Sequence, residues 1–290
     1  MIVRAAALAL ALLLGAGSAA AQTMRPFTTY RQLHGETRLR ATLEYAAGLL
    51  RVAPGRANEL YRMDVSYDGE RFQPVSAYRA SSGAVTLGLR PAGDGGLRVV
   101  SGRQLRQAAN VSLSPRVDLD LDVTLGATDA DLELGGLRVA DWTLRAGASQ
   151  AVVRFSQPNG VRCRRGTLTA GAAELTVLGL GHSRCDRIDF EGGMGRVLLD
   201  FGGAWTTSSA VGVKMAVGEL TLRLPRRVGV RLMLDKFLAS FEPAGLVPRD
   251  GGFESPEYAE AERKLDIAVT TAVGRLRVEW ADPEARELSR

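Results

Sequence analysis

The sequence predicts an all-β protein: a single-stranded, right-handed parallel β-helix-like solenoid with coils of about 21 to 25 residues. Three observations carry this. From about residue 40 to 240, apolar and polar residues alternate as in half-buried strands, with Gly and Pro breaking the runs. Amphipathic helical periodicity is scarce over the same span. Finally, a unit recurs, in which an apolar residue is followed three positions later by Gly and then by a short apolar alternation. It is met at Val123 and Gly126, Leu144 and Gly147, Leu168 and Gly171, Phe190 and Gly193, and Met215 and Gly218. These repeat-turn glycines are 21, 24, 22 and 25 residues apart. Strand, glycine turn, strand and connection at that period make one coil of a β-helix, which buries its inward side chains against its neighbours. A β-sandwich is the competing architecture, and five units in phase favour the solenoid.

The elements follow in chain order. Residues 1–21 have the parts of a secretory signal peptide: a basic start ending at Arg4, an apolar run from Ala5 to Leu14, and small residues at Ala19, Ala20 and Ala21. Cleavage is expected between Ala21 and Gln22. The apolar run is too short to span a bilayer, and no other stretch approaches the roughly 20 residues needed. The expected product is therefore exported, periplasmic or extracellular, with no transmembrane segment in the mature chain. Residues 22–113 form an N-terminal β region and 114–290 the solenoid region. Within them, 95–105 predicts a strand between turns. In 117–125, Val117, Leu119, Leu121 and Val123 face one way and Asp118, Asp120 and Asp122 the other.

One helix is expected, over 255–265. Ser255 stands as N-cap and Pro256 as first helical residue, with Glu257 early and Arg263 and Lys264 late, as helix termini prefer. With the charged tail at 281–290 it reads as a cap on the last coil, which favours a monomer. Uncapped β-helix ends are unpaired strand edges and would instead allow end-to-end self-association.

The chain has two cysteines, and the repeat places them. Cys163 lies five residues before Leu168 and Cys185 five before Phe190, the same phase in consecutive coils. Parallel strands in register lie about 4.8 Å apart, inside the roughly 4.4–6.8 Å Cα window of a disulfide. An exported chain meets an oxidising compartment. A disulfide between Cys163 and Cys185 is the expectation, worth about 3 kcal/mol on the chain-entropy model. A buried pair of free thiols, or a metal or catalytic pair, are the alternatives.

The formal net charge is +5, and all but three of the 37 basic residues are arginines. They are dispersed among acidic residues, without the aromatic interleaving on one face that nucleic-acid binding uses. Weak attraction to anionic envelope surfaces is compatible with such a charge. His34 and His182 lie far apart, and His182 falls in a connection between coils. The chain lacks a nucleophile elbow, a phosphate loop and a His-rich metal motif. No catalytic, cofactor-binding or metal residue is therefore expected, and no cofactor. Two acidic rows need an account: Asp118, Asp120 and Asp122, then Asp129, Asp131 and Glu133. A solvated outer face is the plain explanation. If the rows stacked as successive strands, they would need a hard cation such as Ca²⁺ among them. Opposed across a groove, they would suit a polysaccharide lyase or glycoside hydrolase. Trp142, Trp205 and Trp280 are well separated, with Trp205 on a coil connection.

The C-terminal region carries a family likeness. Leu224 and Pro225 break a strand, then Ser255, Tyr258, Ala261, Lys264, Leu265 and Ile267 lead to a last strand containing Gly274. This pattern resembles the C-terminal region of LiaF-like proteins, the toast-rack family associated with the response to cell-wall-active antibiotics. Residues 43–78 are similar to that family's N-terminal region. The resemblance implies a β fold and an envelope-associated role; its best-studied branch is membrane-anchored and restrains an envelope-stress kinase. Taken together, the chain is expected to be a non-catalytic, exported β-helical envelope protein that binds or scaffolds an envelope protein or glycan. The alternative is a β-helical carbohydrate-active enzyme using the acidic rows.

Overall fold

The computed structural model describes residues 24–93, 106–249 and 251–281. The expected signal peptide with its cleavage point at Ala21 and Gln22, and the expected strand at 95–105, lie outside the described residues. The chain runs through β1 (Met24–Gln32), β2 (Arg38–Pro54), β3 (Glu59–Asp68), β4 (Phe72–Arg79), β5 (Ala84–Pro91) and β6 (Ala108–Leu113). It continues through β7 (Asp118–Glu133), β8 (Arg138–Ala146), β9 (Gln150–Arg154) and β10 (Cys163–Leu178). A single turn of helix, α1 (Leu180–Ser183), precedes β11 (Cys185–Asp200) and β12 (Ser209–Leu224). Then come β13 (Gly229–Glu242), β14 (Val247–Arg249), β15 (Gly252–Glu254) and β16 (Lys264–Trp280). The architecture is nearly all β.

Long strands stack in parallel as rungs, in the order β2, β7, β8 with β9, β10, β11, β12, β16 and β13. At one end β5 and β6 lie parallel to the two halves of β2. Antiparallel strands β4, β3 and β1 finish that end. At the other end the β14–β15 pair lies antiparallel on β13 at Arg231 and Leu232.

Each long rung folds around a corner, and the alternation shows where. In β10, Leu168 and Ala170 are buried, Gly171 and Ala172 are both exposed, and Ala173, Leu175 and Val177 are buried again. Side chains of a straight strand alternate with period 2. Two outward residues in succession reverse the parity, so both halves keep their apolar side toward one interior only if the strand bends. The same reversal falls at Ala272 and Val273 in β16. Inside, apolar residues of successive rungs form columns in register, such as Val123, Leu144, Leu168, Phe190, Val213 and Val269.

Cys163 and Cys185 pair in register and are joined in a disulfide, with Cα atoms 4.1 Å apart. The buried indole of Trp142 packs beside it and donates from Nε1 to Cys185 Sγ at 3.4 Å.

Two expectations need correction, and the place of the last strand is new. The helix expected over 255–265 is a series of turns. Lys264 already starts β16, and Leu265 and Ile267 take alternate core positions, which a helix would forbid. Ser255 caps a strand instead: its Oγ accepts from Val230 N–H at 3.0 Å and its own N–H bonds Val230 O at 2.8 Å. The last strand is an interior rung, because β16 inserts between β12 and β13 and pairs along its length with both. Lastly, Gly126, Gly147, Gly171 and Gly193 share one column, but Gly218 pairs with Gly195, two residues further along. Gly195, Gly218 and Gly274 form a second column at φ +143°, +135° and +132°. That backbone is open to glycine and strained for other residues.

Candidate functional site

The acidic rows do not stack on one another. Both lie on β7, one on each side of its corner, rather than on successive strands. Asp118 pairs with Arg138 at 2.8 Å, Asp120 with Arg38 at 3.1 Å, and Asp122 with Arg145 at 2.6 Å. Asp131 pairs with Arg154. Glu133 accepts from the N–H groups of Gly135 and Ser156 at 2.7 and 3.2 Å. The rows are charge ladders between rungs. Among the described residues, no three His, Cys, Asp or Glu side chains gather as a metal site would require, and no helix is long and apolar enough to cross a membrane. His34 sits near β1, bonded to Gln32 O at 3.0 Å, remote in sequence and rung from His182.

The connections tell a different story. Between one rung and the next the chain crosses the side of the stack opposite the corner, and apolar anchors hold each crossing down. Phe155 after β9, Leu180 after β10, Phe201 after β11 and Val228 after β12 are all buried. Asn159 ties its own crossing to the start of β8 and to α1. It is 1% exposed; its Oδ1 accepts from Val139 N–H at 2.8 Å, and its Nδ2 donates to Val139 O and Ser183 O at 2.7 and 2.9 Å. Over these anchors the crossings leave a groove of about 1140 Å³.

The groove touches the ends of β9, β10, β11, β12 and β16, five consecutive rungs in register. At about 4.8 Å per step it is about 19 Å long. His182 lies on its floor. The ring nitrogen Nδ1 is 2.9 Å from Phe155 O, and since a carbonyl only accepts, Nδ1 carries the proton and Nε2 is left for the groove. Trp205 is half-buried and donates from Nε1 to Phe201 O at 2.8 Å, which fixes the indole plane across the crossing. Gly181 makes room for it: a Cβ there would meet the Trp205 Nε1 at 2.5 Å. Trp280, at the end of β16, is held by its Nε1–H bond to Ala244 O.

Charge in the groove is one-sided. Arg154, Arg223, Arg226, Arg227 and Arg263 line it, against Asp200 alone among the described residues. Arg154 is occupied by Asp131, Arg223 reaches Glu279 at 3.5 Å and Asp200 at 4.0 Å, and Arg263 is bonded to Glu262 and to Thr206 O. Arg226 and Arg227 have no carboxylate partner among the described residues; the Arg226 guanidinium lies 6.0 Å from the Trp280 ring centroid.

Sequence reasoning placed His182 and Trp205 on connections, and that is where they lie. It treated the arginines as dispersed and so missed Arg226, Arg227 and Arg263 as neighbours. The available signal was positional: Arg226 and Arg227 follow directly on the end of a repeat unit, where each crossing starts. Asn159 gave no signal, because its three partners lie some twenty residues away on either side.

A family model described as the N-terminal domain of toast_rack, DUF2154, matches residues 21–178. Among solved structures, the chain is similar to one from Clostridium sporogenes, provisionally named a cell adhesion protein, at 15% identity and TM-score 0.46, covering 89% of this chain and 100% of that one. It is also similar to one from Bacteroides fragilis, provisionally named an adhesin, at 10% identity and TM-score 0.43, covering 88% and 97%. No curated protein matches the chain.

Proposed function

The chain belongs to the toast_rack family, and on that premise we propose that it is an extracytoplasmic, non-catalytic binding protein whose groove holds an extended ligand of the cell envelope. The observation that carries this is the groove itself. It crosses five rungs and is lined by indoles and guanidinium groups from separate segments of the chain. Pockets that recognise ligands combine an apolar floor with a few fixed polar groups, and this one has both. A solenoid of long rungs suits such a role, because each rung adds one more crossing to a continuous surface. The disulfide between consecutive rungs fits an oxidising compartment, and we take the coil to be right-handed, as parallel crossovers are. An envelope glycan is the favoured occupant, since the groove's length suits a polymer better than a compact metabolite.

Asp118, Asp120, Asp122 and Asp131 each serve an arginine of the same or a neighbouring rung, which gives the enzyme alternative no particular support. The test is a panel of soluble envelope glycans, scored for binding and for product release with the mature protein. Binding without release, weakened by Trp205→Ala or Trp280→Ala, is the expected outcome. Release of a cleaved product, or binding insensitive to both tryptophans, would overturn it.

A further inference from the structure

We infer that the β12–β13 end of this groove is an oxyanion subsite, so that its ligand is an acidic polymer recognised through phosphodiester or carboxylate groups. The inference rests on the groove being the binding surface and names the chemistry it selects.

Arg226 and Arg227 are consecutive, exposed, and both line the groove. In a strand, neighbours point to opposite faces. Here the two occupy the turn after Pro225, and both reach the same space. Arginines on the rung faces contrast with them. Arg138, Arg145 and Arg154 face carboxylates on the neighbouring rung, and Arg196 bridges Glu174 at 3.2 Å and Glu219 at 3.6 Å. Those charges are balanced within the fold; those of Arg226 and Arg227 are balanced by no carboxylate among the described residues. Arg263 enters from the other side, its Nε held by Thr206 O at 3.0 Å. Guanidinium forks match planar carboxylates and phosphates with paired hydrogen bonds, and charge assistance makes those bonds strong. Trp280 beside Arg226 supplies an apolar face with its polar edge already satisfied, which suits the uncharged part of a polymer unit.

The experiment measures binding of the mature full chain to three soluble polymers: a polyol phosphate, a polyuronate and neutral dextran, each at two salt concentrations. At least one acidic polymer should bind, more weakly in high salt, and dextran should not. The source of the oxyanion is read from which acidic polymer binds. The double variant Arg226→Gln/Arg227→Gln should weaken that binding about tenfold or more, while Arg51→Gln, an exposed arginine away from the groove, should leave it unchanged. Thermal unfolding of each variant shows whether it is folded. A folded double variant that binds as well as the parent overturns the subsite, as does an equal loss in Arg51→Gln, which would report net charge only. Dextran binding as tightly as the acidic polymers overturns the subsite but leaves the groove as a glycan site. If none of the three binds, both proposals fall.

Discussion

At the corner of the stack, Gly195, Gly218 and Gly274 repeat one backbone conformation from rung to rung. On the opposite side the crossings share nothing but a buried anchor. One holds Asn159 in a three-way hydrogen-bond bridge, the next has a single helical turn with His182, the next carries Trp205, and the last is a tight turn with two arginines. Over these three rungs the corner is uniform because stacked backbones there approach closely; the column ends at Ala173 on β10 and Ala239 on β13, which are outside the positive-φ region. The crossings are free to differ because each needs only its apolar anchor inside and water outside. Repetition therefore builds the platform, and the irregular side is where recognition can be placed.

Four variants and a pH scan would sharpen or break this contrast. Gly274→Val should be the most damaging. A Cβ there would sit 1.9 Å from Gly218 O at φ +132°, which offers no room and no relaxed conformation. A loss above about 3 kcal/mol, or failure to fold, is expected in denaturant titration. A stable variant would show that the corner is not rigid. Cys163→Ala/Cys185→Ala should cost about 2–4 kcal/mol, seen as a lower midpoint that reductant also produces in the parent protein. Asn159→Ala should cost about 2–3 kcal/mol by stranding Val139 N–H, Val139 O and Ser183 O in a buried place. A loss under about 0.5 kcal/mol would mean that the crossings do not depend on it.

The pH scan addresses Tyr258, in the turns before β16. Burial first, and then the hydrogen bond it donates to Asp266 at 2.7 Å, push its phenol up from 10.0 to about 12. The fold thus favours the protonated phenol. Its contribution is complete below pH 10 and is lost as pH rises toward and through 12. The parent should lose thermal stability over that window more steeply than Tyr258→Phe; identical curves would place the alkaline loss elsewhere. Arg226→Gln/Arg227→Gln should have the smallest effect on stability, within about 0.5 kcal/mol by the same titration, because both side chains are exposed and unpaired among the described residues. A large loss would mean that the two arginines hold the crossing and are not free for a ligand.

Much of this architecture was legible in the chain, and the misses share a cause. On each side of the corner at Gly126 and Ala127, alternation shows which residues of β7 face inward, since side-chain direction within a straight segment depends on position parity. The spacing of Cys163 and Cys185 was enough to pair them, because both sit at the same phase of adjacent units. Gly218 fits the local motif of Gly193, and only the ladder shows that its partner is Gly195. Ser255, Pro256 and Glu257 do look like the start of a helix, but the demand of β16 for Leu265 and Ile267 in the core prevails over that local preference.

The sequence by itself determined the rung: its inward face and its corner follow from interactions a few residues long, and its period is read from the recurrence of the unit. Only the tertiary structure decided the order of the rungs and the composition of the groove. A parallel ladder is made by backbone groups that are the same in every residue, so the insertion of β16 between β12 and β13 leaves no local mark. The groove joins His182, Trp205, Arg227 and Trp280 from four separate segments. Their proximity is a property of the stack, created when crossings far apart in the chain come to lie about 4.8 Å apart.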